Sequence, residues 1–267
     1  MKRKIKFTKM VATGNDFVVL EVGPGLKVLN LKLLAKKICD RKYGVGADGL
    51  LVLGNSKRAD IKMRIFNADG SEAEMCGNGA RCAALYIQHP ASKIETKAGI
   101  IDSLAQKDRV RIRFTVPHSL KLGIPVSING CHIKTNFINT GVPHAVIFVD
   151  GLDKIDVAAI GSQIRYSKEF APKGTNVDFV EISGNDSINV RTYERGVEDE
   201  TLACGTGSVA SALIFGLLSS DLTHCKINVR TRSGEALRVY FDKKVNSFSN
   251  VWLEGKAEIV YKGEYYV

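Results

Sequence analysis

Short runs of alternating apolar and polar residues recur along the chain and predict a protein dominated by β-strands. These runs are rich in β-branched and aromatic residues, which favour a pleated, half-buried surface. The clearest predicted strands are FVVLEV (17–22), LLVLG (50–54), IKMRIF (61–66) and RVRIRFTV (109–116). The spacing typical of a helix occurs instead in LKLLAKKICDR (31–41) and IDVAAIGSQIR (155–165).

The order of these segments repeats once within the chain. Two pairs of matching segments are each 127 residues apart: TGNDFVVLEV (from 13) with TGVPHAVIFV (from 140), and MRIFNADG (from 63) with VRTYERGV (from 190). Cys76 and Cys204 are 128 residues apart, and each opens a C-G-x-G motif that is followed by an apolar run. Ordered matches at a nearly constant offset indicate an internal duplication.

The duplication predicts an α+β fold of two pseudo-symmetric domains, related by a pseudo-twofold axis, with the active site in the cleft between them. Each half has predicted strands, one helix among them and a second helix after its C-G-x-G motif. Proline and glycine cluster in TVPHSLKLGIPVSINGC (115–131), which indicates the junction. We therefore expect an N-terminal domain over 1–120 and a C-terminal domain over 121–261.

A cysteine at the start of a helix is suited to proton transfer. The N–H groups at a helix N-terminus and the positive end of its dipole stabilise a thiolate and can also bind a carboxylate. If Cys76 and Cys204 lie on opposite faces of one carbon, a thiolate removes a proton from one face while a thiol delivers one to the other. This inverts a stereocentre without a cofactor, because both sets of N–H groups stabilise the carbanionic transition state.

A nucleophilic cysteine hydrolase is the alternative chemistry for these motifs. It requires one cysteine only, so it leaves the repeat unexplained. The other four cysteines open no such motif, and we interpret them as small buried hydrophobes: Cys39, Cys82, Cys131 and Cys225.

Composition narrows the class of protein further. The six cysteines include no C-x-x-C pair, so neither a zinc site nor a redox motif is expected. No apolar run approaches the ~20 residues that span a bilayer, and no secretory core follows the basic start. We therefore expect a cytoplasmic protein without a membrane partner. The net charge of +10 is scattered, which favours a small anionic metabolite over nucleic acid.

Taken together, the motifs resemble those of the diaminopimelate epimerase family. The matching segments extend through essentially the whole chain: TGNDF, YGVGADG, NADGSEAE, EMCGNGAR, GTNVDFV, RTYERGVEDE and ETLACGTGS. The resemblance implies two domains, each a β-sheet wrapped around a helix, with the segment 262–267 returning to the first. It also implies a cofactor-independent isomerase that interconverts LL- and meso-2,6-diaminopimelate, in lysine biosynthesis and peptidoglycan precursor supply.

The resemblance also assigns roles to residues within the matching motifs. Cys76 and Cys204 are the acid–base pair, while His144 and Glu194 tune their pKa values. Substrate contacts are implied for Asn15, Asn67, Gly77, Asn78, Asn176, Glu194, Arg195, Gly205 and Thr206. Among these, the four residues that follow the cysteines bind the reacting carboxylate, and Arg195 belongs to the distal end. A homodimer with Tyr261 in its contact is implied as well.

Two positions differ from the commonest pattern of that family. Gly49 stands where glutamine is frequent, and Val142 stands where asparagine is frequent. Neither side chain can reach a polar group of a substrate. A related two-cysteine racemase with another substrate, such as histidine, therefore stays open. A non-catalytic amino-acid-binding module also stays open, although it would not need both thiols.

Overall fold

The computed structural model describes residues 4–23, 30–128, 130–219, 224–245 and 247–267. The chain forms two compact units: unit 1 extends to Ile112 and resumes over Gly255–Val267, and unit 2 is Arg113–Glu254. Within the described ranges, unit 1 contains helices α1 (Leu31–Ile38) and α2 (Gly77–Ile87), and unit 2 contains α3 (Val157–Arg165) and α4 (Gly205–Leu218). None of these helices is both long enough and apolar enough to cross a membrane.

Unit 1 is built on one sheet. Its strands are β1 (Lys4–Ala12), β2 (Asn15–Glu21), β3 (Gly49–Gly54), β4 (Ile61–Asn67), β5 (Glu72–Ala73), β6 (Ala91–Thr96), β7 (Gly99–Gln106), β8 (Arg109–Arg113) and, last in the chain, β18 (Glu258–Tyr266). They pair in the order β18–β1–β2–β3–β4–β6–β7–β8, with β5 on β4. The β2–β3 and β4–β6 pairs are parallel, and the others are antiparallel.

Unit 2 is built on a sheet of the same kind. Its strands are β9 (His118–Ile128), β10 (Cys131–Asn139), β11 (Pro143–Phe148), β12 (Asn176–Gly184), β13 (Ser187–Glu194), β14 (Asp199–Thr201), β15 (His224–Arg230), β16 (Ala236–Lys244) and β17 (Ser247–Lys256). They pair in the order β9–β10–β11–β12–β13–β15–β16–β17, with β14 on β13. Only β11–β12 and β13–β15 are parallel among these described pairs.

Strand for strand, unit 2 repeats the pairing order and the directions of unit 1. The predicted α+β fold with two duplicated halves is therefore confirmed. All four predicted strands and all four predicted helices are present, with small differences at their ends. The largest differences are three residues each: α1 ends at Ile38 rather than Arg41, and β8 ends at Arg113 rather than Val116, whose side chain is 70% exposed.

In each unit the helix after the cysteine motif is enclosed by the sheet. α2 packs against β1–β4, β6, β7 and β18, and α4 packs against β10–β13, β15 and β16. Residues 207–216 of α4 are all buried, as expected for a helix that is apolar on every side. The amphipathic helices α1 and α3 each bury one face in another apolar cluster of their own unit. Each helix that directly follows a motif cysteine, α2 in unit 1 and α4 in unit 2, therefore forms the centre of its unit.

The two units divide the chain earlier than the boundaries expected from the sequence. The first division lies at 112/113 instead of 120/121, because β9 pairs along its length with β10 and so belongs to unit 2. The chain rejoins unit 1 at 255 instead of 262, because β18 pairs with β1 from residue 258 onward. The proline- and glycine-rich stretch taken for the junction is thus largely a strand. The register between β9 and β10 shifts near Gly123, where φ is +69°, so the strand accommodates this glycine.

We predict that Gly161→Ala destabilises unit 2. Gly161 lies inside α3, where alanine would by itself favour the helix by about 1 kcal/mol. However, a Cβ at this position would lie 2.5 Å from the Cβ of Tyr193 on β13. Overpacking of this kind costs about 1–3 kcal/mol, so the steric effect outweighs the helix preference. The measurement is the urea midpoint of unfolding.

Gly23→Ala is the control, because a Cβ there meets no atom within 4 Å. Its midpoint should equal that of the unsubstituted protein. A midpoint for Gly161→Ala at or above that value would contradict the packing argument.

Candidate active site

Cys76 precedes α2 directly and caps it. Its backbone is extended (φ −144°, ψ 121°), and its Sγ accepts a hydrogen bond from the N–H of Gly79 at 3.5 Å. The first bond of the helix runs from the N–H of Ala80 to the Cys76 carbonyl. The N–H groups of Gly77 and Asn78 precede that bond and have no acceptor inside the helix, so they can bind a carboxylate.

A buried arginine fixes the surroundings of this helix start. Arg81 is fully buried, and its Nη2 donates to Thr13 Oγ1 at 2.6 Å and to Asn78 Oδ1 at 2.7 Å. Thr13 and Gly14 form the two-residue turn between β1 and β2, with φ values of +53° and +75°. Positive φ at both positions is typical of a type I′ hairpin turn. Arg81 therefore connects the first turn of α2 to the turn that precedes Asn15.

The two other asparagines predicted in this half are accessible, and each donates a side-chain hydrogen bond. Asn15 Nδ2 donates to Asp48 Oδ2 at 2.8 Å, so the amide oxygen points away from that carboxylate. Asp48 in turn accepts a bond from Arg41 at 2.7 Å. Asn67 is the last residue of β4, and its Nδ2 donates to Ser71 Oγ at 2.9 Å. Both side chains are available to a ligand.

Cys204 is the matching residue before α4, and it is more deeply buried. It is 7% exposed, and its Sγ lies 3.3 Å from Thr206 Oγ1. The N–H of Ser208 donates the first helical bond to the Cys204 carbonyl, which again leaves the N–H groups of Gly205 and Thr206 without an acceptor in the helix. Thr140 Oγ1 donates to the Thr206 carbonyl at 3.0 Å and supports this turn.

The surroundings of Cys204 favour its protonated form. Burial raises the pKa of the Cys204 thiol well above its usual value, and the carboxylates of Glu194 and Asp178 raise it further. The Thr206 hydroxyl and the N–H of Gly207 lower the pKa, but by less. Cys204 therefore holds its proton at neutral pH in this state of the protein.

A buried hydrogen-bond network in unit 2 includes three of the predicted residues. His144 Nδ1 lies 2.7 Å from Asp178 Oδ2, and Thr192 Oγ1 donates to Asp178 Oδ1 at 2.7 Å. Asn176 Oδ1 accepts the N–H of Arg195 at 2.7 Å, so Asn176 Nδ2 faces His144 Nε2 at 3.4 Å. Because an amide nitrogen only donates, Nε2 accepts and the ring hydrogen is on Nδ1.

Glu194 and Arg195 end β13 and lie beside this network. Burial raises the pKa of the Glu194 carboxyl, although a hydrogen bond with Thr201 opposes the shift. The Arg195 guanidinium donates through Nη1 to the carbonyls of Lys173 at 3.3 Å and Gly174 at 3.5 Å. These backbone contacts hold the partly exposed guanidinium in place.

The residues packed beneath the two helix starts differ in chemistry. Leu51 of β3 and Asp178 of β12 occupy corresponding positions in the repeat. A Cβ at Gly79 would lie 3.0 Å from Leu51 Cδ2, whereas a Cβ at Gly207 would collide with Asp178 Oδ1. The second glycine of each C-G-x-G motif thus lets the helix approach the strand closely. In unit 1 it approaches a hydrocarbon, and in unit 2 it approaches a carboxylate.

Gly49, which stands where glutamine is frequent in the family that the sequence resembles, is tightly surrounded by other atoms. A Cβ there would lie 3.0 Å from the carbonyl oxygen of Phe66 and 3.4 Å from the ring of Phe17. Gly49 and Phe17 correspond in the repeat to Asn176 and His144. Unit 1 is therefore apolar and closely packed where unit 2 carries its polar network. A larger side chain at position 49 requires its neighbours to shift.

Three residues of these networks were not identified from the sequence: Arg81, Asp48 and Asp178. Each lies inside a matching motif, namely EMCGNGAR, YGVGADG and GTNVDFV. For Arg81 and Asp178 the available signal was a charged residue at a position that the helix or strand pattern assigns to the interior, whereas Asp48 lies in an exposed loop and had no such signal. For Asp178 that position lies between Val177 and Phe179, within a run of five buried residues.

The prediction that the four cysteines outside the motifs are buried is wrong for one of them. Cys39 and Cys82 are buried as expected, and burial raises the pKa of Cys39 to about 12. Cys131 is exposed instead of buried, because it begins β10 directly after the turn from β9. The side chain of Cys225 lies outside the described residues. Within the described ranges, no group of three or more His, Cys, Asp or Glu side chains is arranged to hold a metal ion.

Comparison with known proteins identifies the family. The sequence profile of diaminopimelate epimerases matches residues 7–116 and 136–260. The chain is 43% identical over 280 residues to the diaminopimelate epimerase of Methanocella arvoryzae, covering 98% of this chain and 96% of that protein. It is 40% identical over 262 residues to that of Chlorobaculum tepidum, covering 95% and 98%.

A solved structure shares the fold. The phenazine biosynthesis protein of the PhzF family from Bacillus anthracis aligns with a TM-score of 0.75 at 18% identity, covering 99% of this chain and 100% of that one. The likeness includes both units and accords with the family match. The chain belongs to the diaminopimelate epimerase family.

Proposed function

We propose that the protein is a cofactor-independent isomerase that interconverts LL-2,6-diaminopimelate and meso-2,6-diaminopimelate, for lysine biosynthesis and peptidoglycan precursor supply. One observation carries the proposal: in both halves of a member of this family, a cysteine opens the enclosed helix of its unit. Inversion at carbon by a two-base route uses a proton acceptor on one face and a proton donor on the other. The duplication supplies both.

The two thiols have surroundings that suit these opposite roles. Cys76 is the less buried thiol, and the N–H of Gly79 donates to its sulfur, which favours a thiolate. Cys204 is buried near two carboxylates, which favours a thiol. In one direction of reaction Cys76 removes the proton from the substrate carbon and Cys204 delivers its own; in the other direction the roles are exchanged.

Backbone N–H groups hold the reacting carboxylate in this proposal. Those of Gly77 and Asn78 in one half, and of Gly205 and Thr206 in the other, lie in the first turns of α2 and α4. Negative charge moves onto this carboxylate as the proton leaves. The positive ends of both helix dipoles then stabilise the transition state more than the ground state.

The distal amino-acid end of the substrate is held by polar side chains. Arg195 offers two guanidinium nitrogens to the distal carboxylate, while Asn67 and Asn176 contact the polar groups beside it, and Asn15 contacts the substrate near the reacting carbon. His144 and Glu194 tune the pKa values of the two thiols in this proposal. It is supported by the position of His144 within the buried network of unit 2 and of Glu194 beside that network.

A two-cysteine racemase for another amino acid is the second candidate. The observation that favours it is the close packing around Gly49, together with the apolar Val142, since neither position offers a polar contact to a distal group.

We further propose that the protein acts in the cytoplasm as a homodimer, without nucleic-acid partners. Reducing conditions keep both thiols available. Ile259, Val260 and Tyr261 on β18 are each at least 40% exposed and offer an apolar contact surface. The mass in solution, measured by light scattering, tests for the dimer.

We predict that the purified protein interconverts the LL and meso forms of diaminopimelate and that Cys76→Ala and Cys204→Ala each reduce the rate by at least about 100-fold, because each removes a proton carrier. The measurement is chromatographic separation of stereoisomers, with a panel of single L-amino acids assayed in parallel. Calorimetry should show that both variants still bind diaminopimelate.

Three results would contradict this prediction. Turnover of a single amino acid in place of diaminopimelate would favour the second candidate. Binding by the unsubstituted protein without any turnover would indicate a binding module. Full activity in either alanine variant would exclude a two-thiol mechanism.

We predict that Arg195→Lys weakens the use of diaminopimelate by about 10- to 100-fold in kcat/KM. A guanidinium can form two parallel bonds to a carboxylate, and a lysine ammonium cannot. A substrate analogue without the distal carboxylate is the control, and its slow turnover should be unaffected. Equal loss for both substrates would show that Arg195 does not bind the distal end.

A further inference from the structure

Asp178 is a buried carboxylate that neither the family resemblance nor the proposed mechanism accounts for. Its side chain has no exposed surface, and it lies in a run of buried residues at the start of β12. Leaving a charge in the interior is strongly unfavourable unless hydrogen bonds compensate for it. Its position in the repeat corresponds to Leu51 in unit 1, so the fold itself does not require a charge there.

We propose that Asp178 is a positioning residue for the second thiol: it fixes His144 as the tautomer with hydrogen on Nδ1, and its negative charge beneath the start of α4 keeps the proton on Cys204 in the resting enzyme. The inference rests on the proposed function in one respect, namely that Cys204 carries a proton to or from the substrate.

Each carboxylate oxygen of Asp178 has a close hydrogen-bond partner. Thr192 Oγ1 donates to one carboxylate oxygen at 2.7 Å, and His144 Nδ1 lies 2.7 Å from the other. Both oxygens accept, as an ionised carboxylate does. On its other side the His144 ring faces Asn176, whose Nδ2 lies 3.4 Å from Nε2.

The charge of Asp178 lies close to the first turn of α4. A Cβ at Gly207 would collide with Asp178 Oδ1, so the carboxylate touches the backbone of the helix start three residues after Cys204. The positive end of the helix dipole stabilises this charge. The thiolate of Cys204 would have to share the same N–H groups with it, which disfavours that thiolate.

The charged and titratable groups around Cys204 come from three strands and from α4 itself. Glu194 on β13 and Asp178 on β12 raise its pKa, and His144 on β11 is hydrogen-bonded to Asp178. Thr206 and the N–H of Gly207, both on α4, lower it. Asp178 differs from Glu194 in having a hydrogen-bond partner at 2.7 Å on each carboxylate oxygen, which fixes its position beneath the start of α4.

The same proposal explains why the two halves of the duplication differ. In unit 1 the helix start packs on Leu51, and a buried arginine, Arg81, replaces the buried carboxylate as the interior charge. Of the two residues that pack beneath the helix starts, only Asp178 in the Cys204 half can thus carry a negative charge. The pair begins each cycle with its proton on a defined sulfur.

The experiment measures the pH dependence of alkylation at each thiol by iodoacetamide, with peptide mass mapping and no substrate present. The midpoint of each profile is compared rather than the rate, because Cys204 is only 7% exposed. In the unsubstituted protein, Cys76 should have the lower midpoint. In Asp178→Asn the Cys204 midpoint should fall by about one pH unit, which is about tenfold more thiolate at low pH.

Three controls separate a local electrostatic role from a general effect on folding. The Cys76 midpoint of Asp178→Asn should not move. Asp186→Asn removes an exposed carboxylate from the same unit and should move neither midpoint. Thr192→Val removes a donor to Asp178 but keeps its charge, so Cys204 should respond far less than in Asp178→Asn.

Nitrogen-15 NMR of histidine in the unsubstituted protein provides a test that does not depend on a variant's folding. The His144 signals, assigned by their loss in His144→Gln, should show hydrogen on Nδ1 and an accepting Nε2. Hydrogen on Nε2 would overturn the positioning role. An unchanged Cys204 midpoint in folded Asp178→Asn would overturn the electrostatic role. Absence of epimerisation by the unsubstituted protein would instead refute the proposed function, which this alkylation does not measure.

Discussion

The first turn of a buried helix leaves N–H groups that its own backbone cannot satisfy, and the chemistry of this protein depends on that constraint. In each unit the helix is surrounded by its sheet, and a cysteine stands immediately before it. Burial keeps water away from most of the helix, so the open N–H groups attract an anion, either the thiolate or a carboxylate of a ligand. The glycines after the cysteine allow that anion to approach.

Duplication would by itself produce two identical half-sites, each made of a cysteine and the helix start that follows it. In this protein the residues around the two half-sites differ in chemistry. The first half-site contains a more accessible thiol above an apolar residue and a buried arginine. The second contains a deeply buried thiol near Glu194 and the network of His144, Asp178 and Asn176. The proposed mechanism requires a thiolate and a thiol at the start of a proton exchange. In our proposal, the different interior charges of the two units supply one of each.

Much of this arrangement could be predicted from the sequence. Strand alternation, the repeat and the two C-G-x-G motifs predicted the fold class and the helices that follow the cysteines, whereas the wrapping of each sheet around its helix was implied by the family resemblance. The junction between the units was placed too late, since pairing between β9 and β10 overrode the proline and glycine signal. Cys131 was assigned to the interior. Its exposed position at the start of β10 depends on that same pairing of β9 with β10, which the local pattern does not show.

The supporting charges could not be predicted, for a physical reason. Arg81 and Asp178 each occupy a position that the local pattern assigns to the core, where a charge is tolerated only if partners distant in sequence satisfy it. Those partners are Thr13 for Arg81 and His144 for Asp178. The contacts arise from the tertiary fold and have no local sequence signal. Direct cysteine contacts to substrate are likewise inferred from the family and the helix geometry together.

The central claim is that two thiols serve one carbon, each on its own face, and isotope incorporation tests it most directly. The reaction is started in heavy water from one pure stereoisomer of diaminopimelate. Product should carry deuterium at the inverted carbon from the first turnover, because the delivering thiol has exchanged with solvent, while the remaining substrate stays protiated. Deuterium entering recovered substrate as fast as product would mean that a single base serves both faces, and that result would contradict the account.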